Sequence, residues 1–213
     1  MKYASDHYNK KYFDWQKKLT KFGGEAHLFQ FKKYVKPDFC VIDFGSSSGY
    51  LLKNMDCKKK YAIEPNLSTH KKSIQHGIEP HINPESLLNK HGDNFADLII
   101  SNSALEHTLE PYKNLKILYK LLKKGGVIHF IVPCDNISYK YKPNDINHHL
   151  YSWSPMNLGN LFSEVGFDVI ESKAFIHKWP PYFMVIQKLV GWKFFNIICR
   201  IWGQLERKWF QVQ

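Results

Sequence analysis

Residues 39–64 read FCVIDFGSSSGYLLKNMDCKKKYAIE, and the fold is decided here. Phe39 to Phe44 is a short apolar run with β-branched members, the pattern of a buried parallel strand. It stops at a loop of small residues, Gly45-Ser46-Ser47-Ser48-Gly49, after which Tyr50 to Met55 continues with helix-compatible residues including Leu51 and Leu52. A second short strand, Tyr61-Ala62-Ile63, ends at Glu64, 21 positions after Asp43. Strand, glycine-bounded turn, helix and acid-terminated strand is the geometry of a nucleotide-binding β-α-β unit. The glycines let the backbone approach a ligand, the helix presents free N–H groups, and the carboxylate can accept both ribose hydroxyls. Glu64 stands in that last place.

Outward from this unit, strands are expected near Pro80 to Asn83, at Ala96 to Ile100 and at Val127 to Val132. Between the last two lies a helix with Pro111 in its first turn, an apolar stripe of Leu115, Leu118, Tyr119 and Leu122, and a stop at Lys123-Lys124-Gly125-Gly126. Ser154 reads as an N-cap and Pro155 as the first residue of another helix, with Leu158, Leu161, Phe162 and Val165 on one face before Gly166. A strand follows at about Phe167 to Phe175. Strands alternating with helices predict an α/β fold with a mostly parallel sheet and helices on both faces. Two segments fall outside this rhythm. Residues 133–153 form a long loop leaving a strand's C-terminal end, and residues 179–205 read as one or two amphipathic helices.

The 213 residues are 44% hydrophobic and 23% charged, which excludes a disordered chain and fits a single domain over 1–213. Cys40, Cys57, Cys134 and Cys199 include no CxxC pair and no histidine at ligand spacing, so neither a metal site nor a disulfide framework is expected, and a reducing cytoplasm fits. The charged N-terminus has no apolar stretch of a secretory signal after it, and no run approaches the roughly 20 apolar residues of a membrane span. The net charge of +11 sits at the ends: residues 1–60 hold 13 Lys against 6 acids, and residues 171–213 hold 7 Lys or Arg against 2. Of the 30 cations 28 are Lys, and only Arg200 and Arg207 offer a planar phosphate fork, so no nucleic-acid partner is expected.

The stretches VIDFGSSSGYLL, YAIEPN, FADLIISNSALEH and LLKKGGVIHFIVP together resemble class I S-adenosylmethionine-dependent methyltransferases across residues 39–133. The later DINHHLYSWSPMNLGNLFSEVGFDVIESKAF is similar to the small-molecule and sugar methyltransferases of that superfamily, including those of polysaccharide biosynthesis. The resemblance implies a Rossmann-like seven-stranded sheet with an antiparallel edge hairpin made by Phe167–Phe175 and the terminal WFQVQ. It divides the chain into an N-terminal helical cap (1–36), a cofactor-binding core (37–178) and an amphipathic segment with the last strand (179–213).

It also implies roles for particular residues. Asp43 orients the loop near the methionine amino group, and Gly45, Ser46 and Gly49 surround the methionine portion of S-adenosylmethionine. Glu64 holds the ribose, Ile82, Asn83 and Glu85 pass near the adenine, and Asn102 approaches the sulfonium. One departure stands out: where the family usually has Gly-x-Gly-x-Gly, the middle position is Ser47.

Methyl transfer needs alignment and, for an alcohol acceptor, removal of one proton. Histidine suits the second task, and His107 and His148 follow the fourth and fifth strands, with Asp145 placed to orient an imidazole. His149, Tyr151 and Trp153 are candidates to hold a sugar ring, as are Tyr139 and Tyr141. Tyr8, Tyr12, Phe13 and Trp15 precede a break at Gly23-Gly24-Glu25, with Tyr8, Tyr12 and Trp15 on one helical face; the resemblance implies a cap over the cofactor cleft, and plain packing against the sheet is the alternative. Trp179, Trp192 and Trp202 with interspersed cations suit peripheral membrane contact through 179–205. The expected function is O-methylation of a small-molecule acceptor, a sugar, nucleotide-sugar or other metabolite. The alternatives are methylation of nucleic acid and a non-catalytic scaffold with a degenerate cofactor site.

Overall fold

Along β1 (Cys40–Phe44) side chains alternate between two cores, which is why the sheet is covered on both faces. Ile42 and Phe44 join Ile63, Ile99, Phe130 and Val132 on one face, and Val41 joins Ala62, Leu98, Ile100 and Ile131 on the other. The computed structural model describes residues 19–136, 138–143, 145–206 and 210–213. The expected cap residues Tyr8, Tyr12, Phe13 and Trp15 lie outside them.

The remaining strands are β2 (Lys59–Ile63), β3 (Glu79–His81), β4 (Ala96–Asn102), β5 (Leu122–Cys134), β6 (Ala174–Phe175) and β7 (Phe210–Val212). They form one seven-stranded sheet in the order β3-β2-β1-β4-β5-β7-β6. The first five are parallel, and β7 runs antiparallel to both β5 and β6, giving the edge pair expected from the resemblance. Because β1 lies between β2 and β4, the direction of winding reverses there, and a crevice opens beyond the C-terminal ends of these strands.

The helices are α1 (described over 19–26), α2 (Leu28–Phe31), α3 (Tyr50–Lys53), α4 (Leu67–Gln75), α5 (Pro84–His91), α6 (Pro111–Leu121), α7 (Pro155–Val165) and α8 (Phe183–Glu206). The start of α7 is fixed by a reciprocal cap: Asn157 N–H donates to Ser154 Oγ, and Ser154 N–H to Asn157 Oδ1. Helix α8 is two helices joined at Gly191, whose φ of 72° interrupts the helical path.

Four local expectations are corrected. Gly23-Gly24 is no break, because α1 continues through it. A Cβ on Gly24 would come within 2.6 Å of the Tyr50 carbonyl carbon, so glycine here lets α1 press onto the start of α3. Lys123-Lys124-Gly125-Gly126 is not a helix stop before a strand, since β5 already begins at Leu122 paired with Ala96; the tetrapeptide is a bulge, and pairing resumes at Val127 opposite Leu98. Tyr119 is exposed, and Asn114 and Leu121 complete the buried face of α6. The Phe167–Phe175 arm shrinks to Ala174–Phe175, paired with Val212 and Gln211, and Lys173 beside it exchanges backbone bonds with Gln213.

On its outer edge β5 is met by β7 at Val132–Cys134, and a cavity of about 700 Å³ lies beside its N-terminal half, lined by residues including Gly126, His129, Gly159 and Gln213. This cavity is at the far end of the strands from the crevice.

Candidate active site

The loop after β1 is held by hydrogen bonds to neighbouring strands. Gly45 N–H donates to the Ile63 carbonyl at 2.8 Å, and Ser47 N–H donates to Glu64 Oε2 at 2.8 Å. Glu64 Oε1 accepts from Asn66 N–H at 2.9 Å. The carboxylate at the end of β2 therefore braces the loop at the end of β1. Glycine is required at position 45: its φ is 79°, and a Cβ would come within 2.1 Å of Ala104 Cβ. Ser47, standing where the family pattern has glycine, holds a left-handed φ of 50°. Gly49 opens α3.

Asp43 and Glu64 are both buried, at 2% and 5% exposure. Burial pushes Asp43 up to about 7, with the Glu64 charge adding to it. Burial likewise raises Glu64 to about 7, against the pull of the Asn66 and Ser47 amides. Such a carboxylate pair favours a cationic neighbour.

Several buried polar atoms around the crevice have no hydrogen-bond partner among the described residues: Ser46 Oγ, Ser47 Oγ, Asn102 Oδ1 and Glu85 Oε2. They come from the loop after β1, the last residue of β4 and the first turn of α5. Orphaned polar atoms from three elements at one end of a sheet fit a ligand with many polar groups. Asn83 caps α5, its Oδ1 accepting from Ser86 N–H at 2.7 Å, and Ile82 beside it is exposed.

On the acceptor side, β4 leads into a tight turn at Leu105–His107. Glu106 is fully buried, and neither of its carboxylate oxygens accepts a hydrogen bond from another of the described residues. Burial raises it to about 8, its own amide offsetting a part and Asp135 adding to the rise. His107 Nε2 lies 3.6 Å from Glu106 Oε1, and the His107 and His149 rings are 5.1 Å apart. His149 Nδ1 lies 3.2 Å from Asp135 Oδ2, in the stretch that leaves β5. The loop is drawn over this turn by its backbone, as the N–H groups of Leu150 and Tyr151 both donate to the Glu106 carbonyl.

Of the other candidates, His148 adjoins this cluster through its chain neighbour His149. Asp145 is exposed, and its Oδ2 accepts from the backbone N–H groups of Asn147 and His148, so the carboxylate shapes the turn. His148 is exposed, with φ 47°. Tyr151 donates its hydroxyl to the Leu109 carbonyl and stacks on Trp153, which is buried in the core with Nε1 unpartnered. Tyr139 and Tyr141 are exposed.

Sequence reasoning assigned no role to Glu106 or Asp135. Glu106 sits inside the quoted SALEH stretch beside a chosen histidine, but its burial is a product of the fold. The expectation of no metal ligands rested on the cysteines, whereas two groups of carboxylate and imidazole have ligand atoms within 4.8 Å of one another: Glu79, His81 and His91, and Glu106, His107 and His149.

A family model described as a methyltransferase domain matches residues 7–172. No curated protein matches the chain in sequence. Among solved structures, a SAM-dependent methyltransferase from Archaeoglobus fulgidus is similar with a TM-score of 0.63 and 16% identity, over 94% of this chain and 97% of that one. A SAM-dependent methyltransferase from Thermotoga maritima gives 0.61 and 21%, over 80% and 82%. A Haloferax volcanii methyltransferase, solved in complex with the Trm112 methyltransferase activator, gives 0.61 and 17%, over 78% and 79%. At these identities the likeness concerns the fold, which is the one built above. With the family match spanning most of its length, the chain belongs to the methyltransferase-domain family and is an S-adenosylmethionine-dependent methyltransferase.

Proposed function

We propose that the acceptor is a small hydroxylated molecule of the sugar, nucleotide-sugar or glycan-precursor class, methylated on oxygen. The observation that carries this reading is the gathering of His107, His149, Asp135 and Glu106 beyond β4 and β5, on the turn that follows Asn102 and on the stretch that leaves β5. An oxygen acceptor needs such proton-handling groups, whereas nitrogen can lose its proton after transfer.

S-adenosylmethionine, when bound, supplies an electrophilic methyl group on a sulfonium. Asp43 and Glu64 would hold its ammonium and ribose, Ser46 Oγ and the backbone at Gly45 and Gly49 its methionine part, and Asn83 and Glu85 the adenine side. Asn102, whose buried Oδ1 has no hydrogen-bond partner among the described residues, would face the sulfonium. His148, held at positive φ on the Asp145 turn, takes the acceptor proton. His149 and Tyr151 form the acceptor wall, and Trp153 backs Tyr151 from the core.

A nucleic-acid acceptor is the weaker reading, given 28 Lys and only two Arg among the cations. For location, no helix among the described residues is long and apolar enough to cross a membrane. We place the chain in the cytoplasm and at the membrane surface through α8, whose Leu189, Phe194, Ile201 and Leu205 are exposed among the exposed cations Lys188, Lys193 and Arg200. Trp179 and Trp192 are not the anchors: both pack on Phe22, with ring centroids at 4.9 and 5.2 Å.

The test is transfer of a labelled methyl group from S-adenosylmethionine to a panel of sugars, nucleotide-sugars, polyols and amines. Labelled methyl ethers are expected. Methylation confined to amines would reject the oxygen-acceptor reading.

A further inference from the structure

A buried carboxyl group that accepts no hydrogen bond from any other described residue is costly, and few such groups persist in native proteins without a ligand to satisfy them. Glu106 is such a group, at 0% exposure, and its neighbours are nitrogen donors. One ligand atom from each of Glu106, His107 and His149 lies within 4.8 Å of the others. We propose that Glu106, His107 and His149 hold a divalent cation at the acceptor end of the site.

Three features support this. First, Glu106 Oε1 points at His107 Nε2 across 3.6 Å, longer than a hydrogen bond. Ligand atoms about 2.1 Å from a shared ion stand roughly 3 to 3.5 Å apart, so modest side-chain rotation closes the set around an ion. Second, His149 Nδ1 meets the Asp135 carboxylate at 3.2 and 3.3 Å. A carboxylate on one imidazole nitrogen fixes the tautomer and steadies the ring, as in metal-ligating histidines. Third, the backbone bonds from Leu150 and Tyr151 to the Glu106 carbonyl tie the loop bearing His149 to the turn bearing the other two ligands. The ligand set is therefore built by the strand ends themselves.

The second cluster supplies the contrast. Glu79 Oε1 already takes the Lys90 ammonium at 2.8 Å, His81 at 2.8 Å and His91 at 3.0 Å. That oxygen is already engaged three times, with a lysine where a cation would sit. Glu106, by contrast, accepts no side-chain hydrogen bond from the described residues.

Two imidazoles and one carboxylate select borderline ions such as Mn²⁺, Fe²⁺, Co²⁺ or Zn²⁺ over Mg²⁺ and Ca²⁺, which prefer oxygen. Three protein ligands leave coordination positions open. The cation's part in the reaction rests on the methyl-transfer reading above. An acceptor with two adjacent hydroxyls fills the open positions, and the cation makes the bound hydroxyl acidic. That hydroxyl gives its proton to His148. Its oxygen then bonds to the methyl carbon as the methyl–sulfur bond breaks, and the electron pair of that bond stays on sulfur.

The experiment titrates Co²⁺ alone into tag-free, chelator-stripped full-length protein, read by visible absorption and by competition with Zn²⁺. Wild type is compared with Glu106→Gln, His149→Ala and Glu79→Gln, and melting temperature and S-adenosylhomocysteine affinity are measured on each. One Co²⁺ per chain is expected, at least tenfold weaker in Glu106→Gln and His149→Ala and unchanged in Glu79→Gln, with cofactor-product affinity kept in all. If Glu106→Gln fails to fold, His149→Ala on the partly exposed loop decides. Absence of Co²⁺ binding by wild type, or binding lost in Glu79→Gln and kept in Glu106→Gln and His149→Ala, overturns the proposal. Homocysteine-product binding without Co²⁺ binding rejects the cation and leaves methyl transfer standing; Co²⁺ binding without the product does the reverse.

Discussion

The Ser47 amide donates to Glu64 Oε2 across 2.8 Å while Ser47 itself holds φ at 50°, so the end of β2 fixes a left-handed residue in the loop after β1. A non-glycine residue in this region carries about 1 kcal/mol of strain or more. Replacing Ser47 with glycine relieves the strain but frees the unfolded chain, and the two effects oppose. Ser47→Gly is expected to leave stability within about 1 kcal/mol of wild type, and Ser47→Val to cost about 2 kcal/mol. Urea denaturation of both variants checks this. Glu64→Ala removes the brace and the expected ribose contact together, and charged hydrogen bonds of about 1.5–3 kcal/mol imply at least tenfold weaker binding of S-adenosylhomocysteine by calorimetry.

Gly45 and Ala104 make a second coupled pair, from the loops after β1 and β4. Gly45→Ala brings a methyl group within 2.1 Å of Ala104 Cβ and forces alanine to a φ of 79°. The expected loss is about 2 kcal/mol or more, with cofactor binding abolished. Adding Ala104→Gly opens the space without changing the backbone, so the double variant regains a part of the stability and not all of it. Thermal melts of the two single variants and the double measure the coupling.

These contacts explain how much the sequence disclosed. The apolar run ending at Asp43, the small-residue loop and Glu64 are local in sequence, so the unit and its switch point were legible. Gly24 was misread because glycine disfavours helix in isolation, whereas its role is tertiary contact with Tyr50. The start of β5 was misread because Leu122 joins a helix directly to a strand, with the lysine–glycine tetrapeptide bulging inside that strand. On the acceptor side, His107 and His149 were legible as histidines at strand ends. Glu106 and Asp135 were not, since their chemistry comes from burial and from a partner 14 positions away in a loop.

The raised pKa values of Asp43 and Glu64 predict a specific pH dependence. Asp43 moves from an ordinary 3.8 to about 7, so the folded chain keeps a proton that the unfolded chain loses. Its contribution to stability therefore falls as pH rises from about 4 through about 7. His27, His129 and His177, held near 4 mainly by burial, act in the opposite sense. They are present in both wild type and Asp43→Asn, so the difference between the two melting curves isolates the carboxylate pair. Asp43→Asn is expected to gain relative to wild type between pH 5 and 8. Binding shows the reverse: the cofactor's ammonium needs Asp43 ionised, so S-adenosylhomocysteine affinity is flat above pH 8 and weakens about tenfold per unit well below 7. Calorimetry in two buffers of different ionisation enthalpy reads the proton released on binding near neutral pH. Equal affinity at pH 6 and 8 would place Asp43 away from the ammonium.

The outer surface of α8 carries apolar and cationic groups together, with Leu189 80% and Leu205 73% exposed and Lys188, Lys193 and Arg200 among them. An amphipathic helix lying in a membrane surface draws on both: apolar side chains enter the headgroup boundary, and cations meet anionic lipid. Burying a leucine side chain is worth about 1.5–3 kcal/mol, so Leu189→Asp with Leu205→Asp is expected to lower vesicle partitioning by a hundredfold or more. Neither side chain contributes to the core, so the melting temperature stays near wild type. Flotation with phosphatidylglycerol–phosphatidylcholine vesicles is the measurement, repeated at about 0.5 M salt, where the Debye length falls to roughly 4 Å and the cationic share of binding is screened. Wild type is expected to float at low salt and in reduced amount at high salt. Pure phosphatidylcholine vesicles should retain only the apolar share. If the double variant floats as well as wild type, α8 is not the contact, and its exposed leucines belong to another interface.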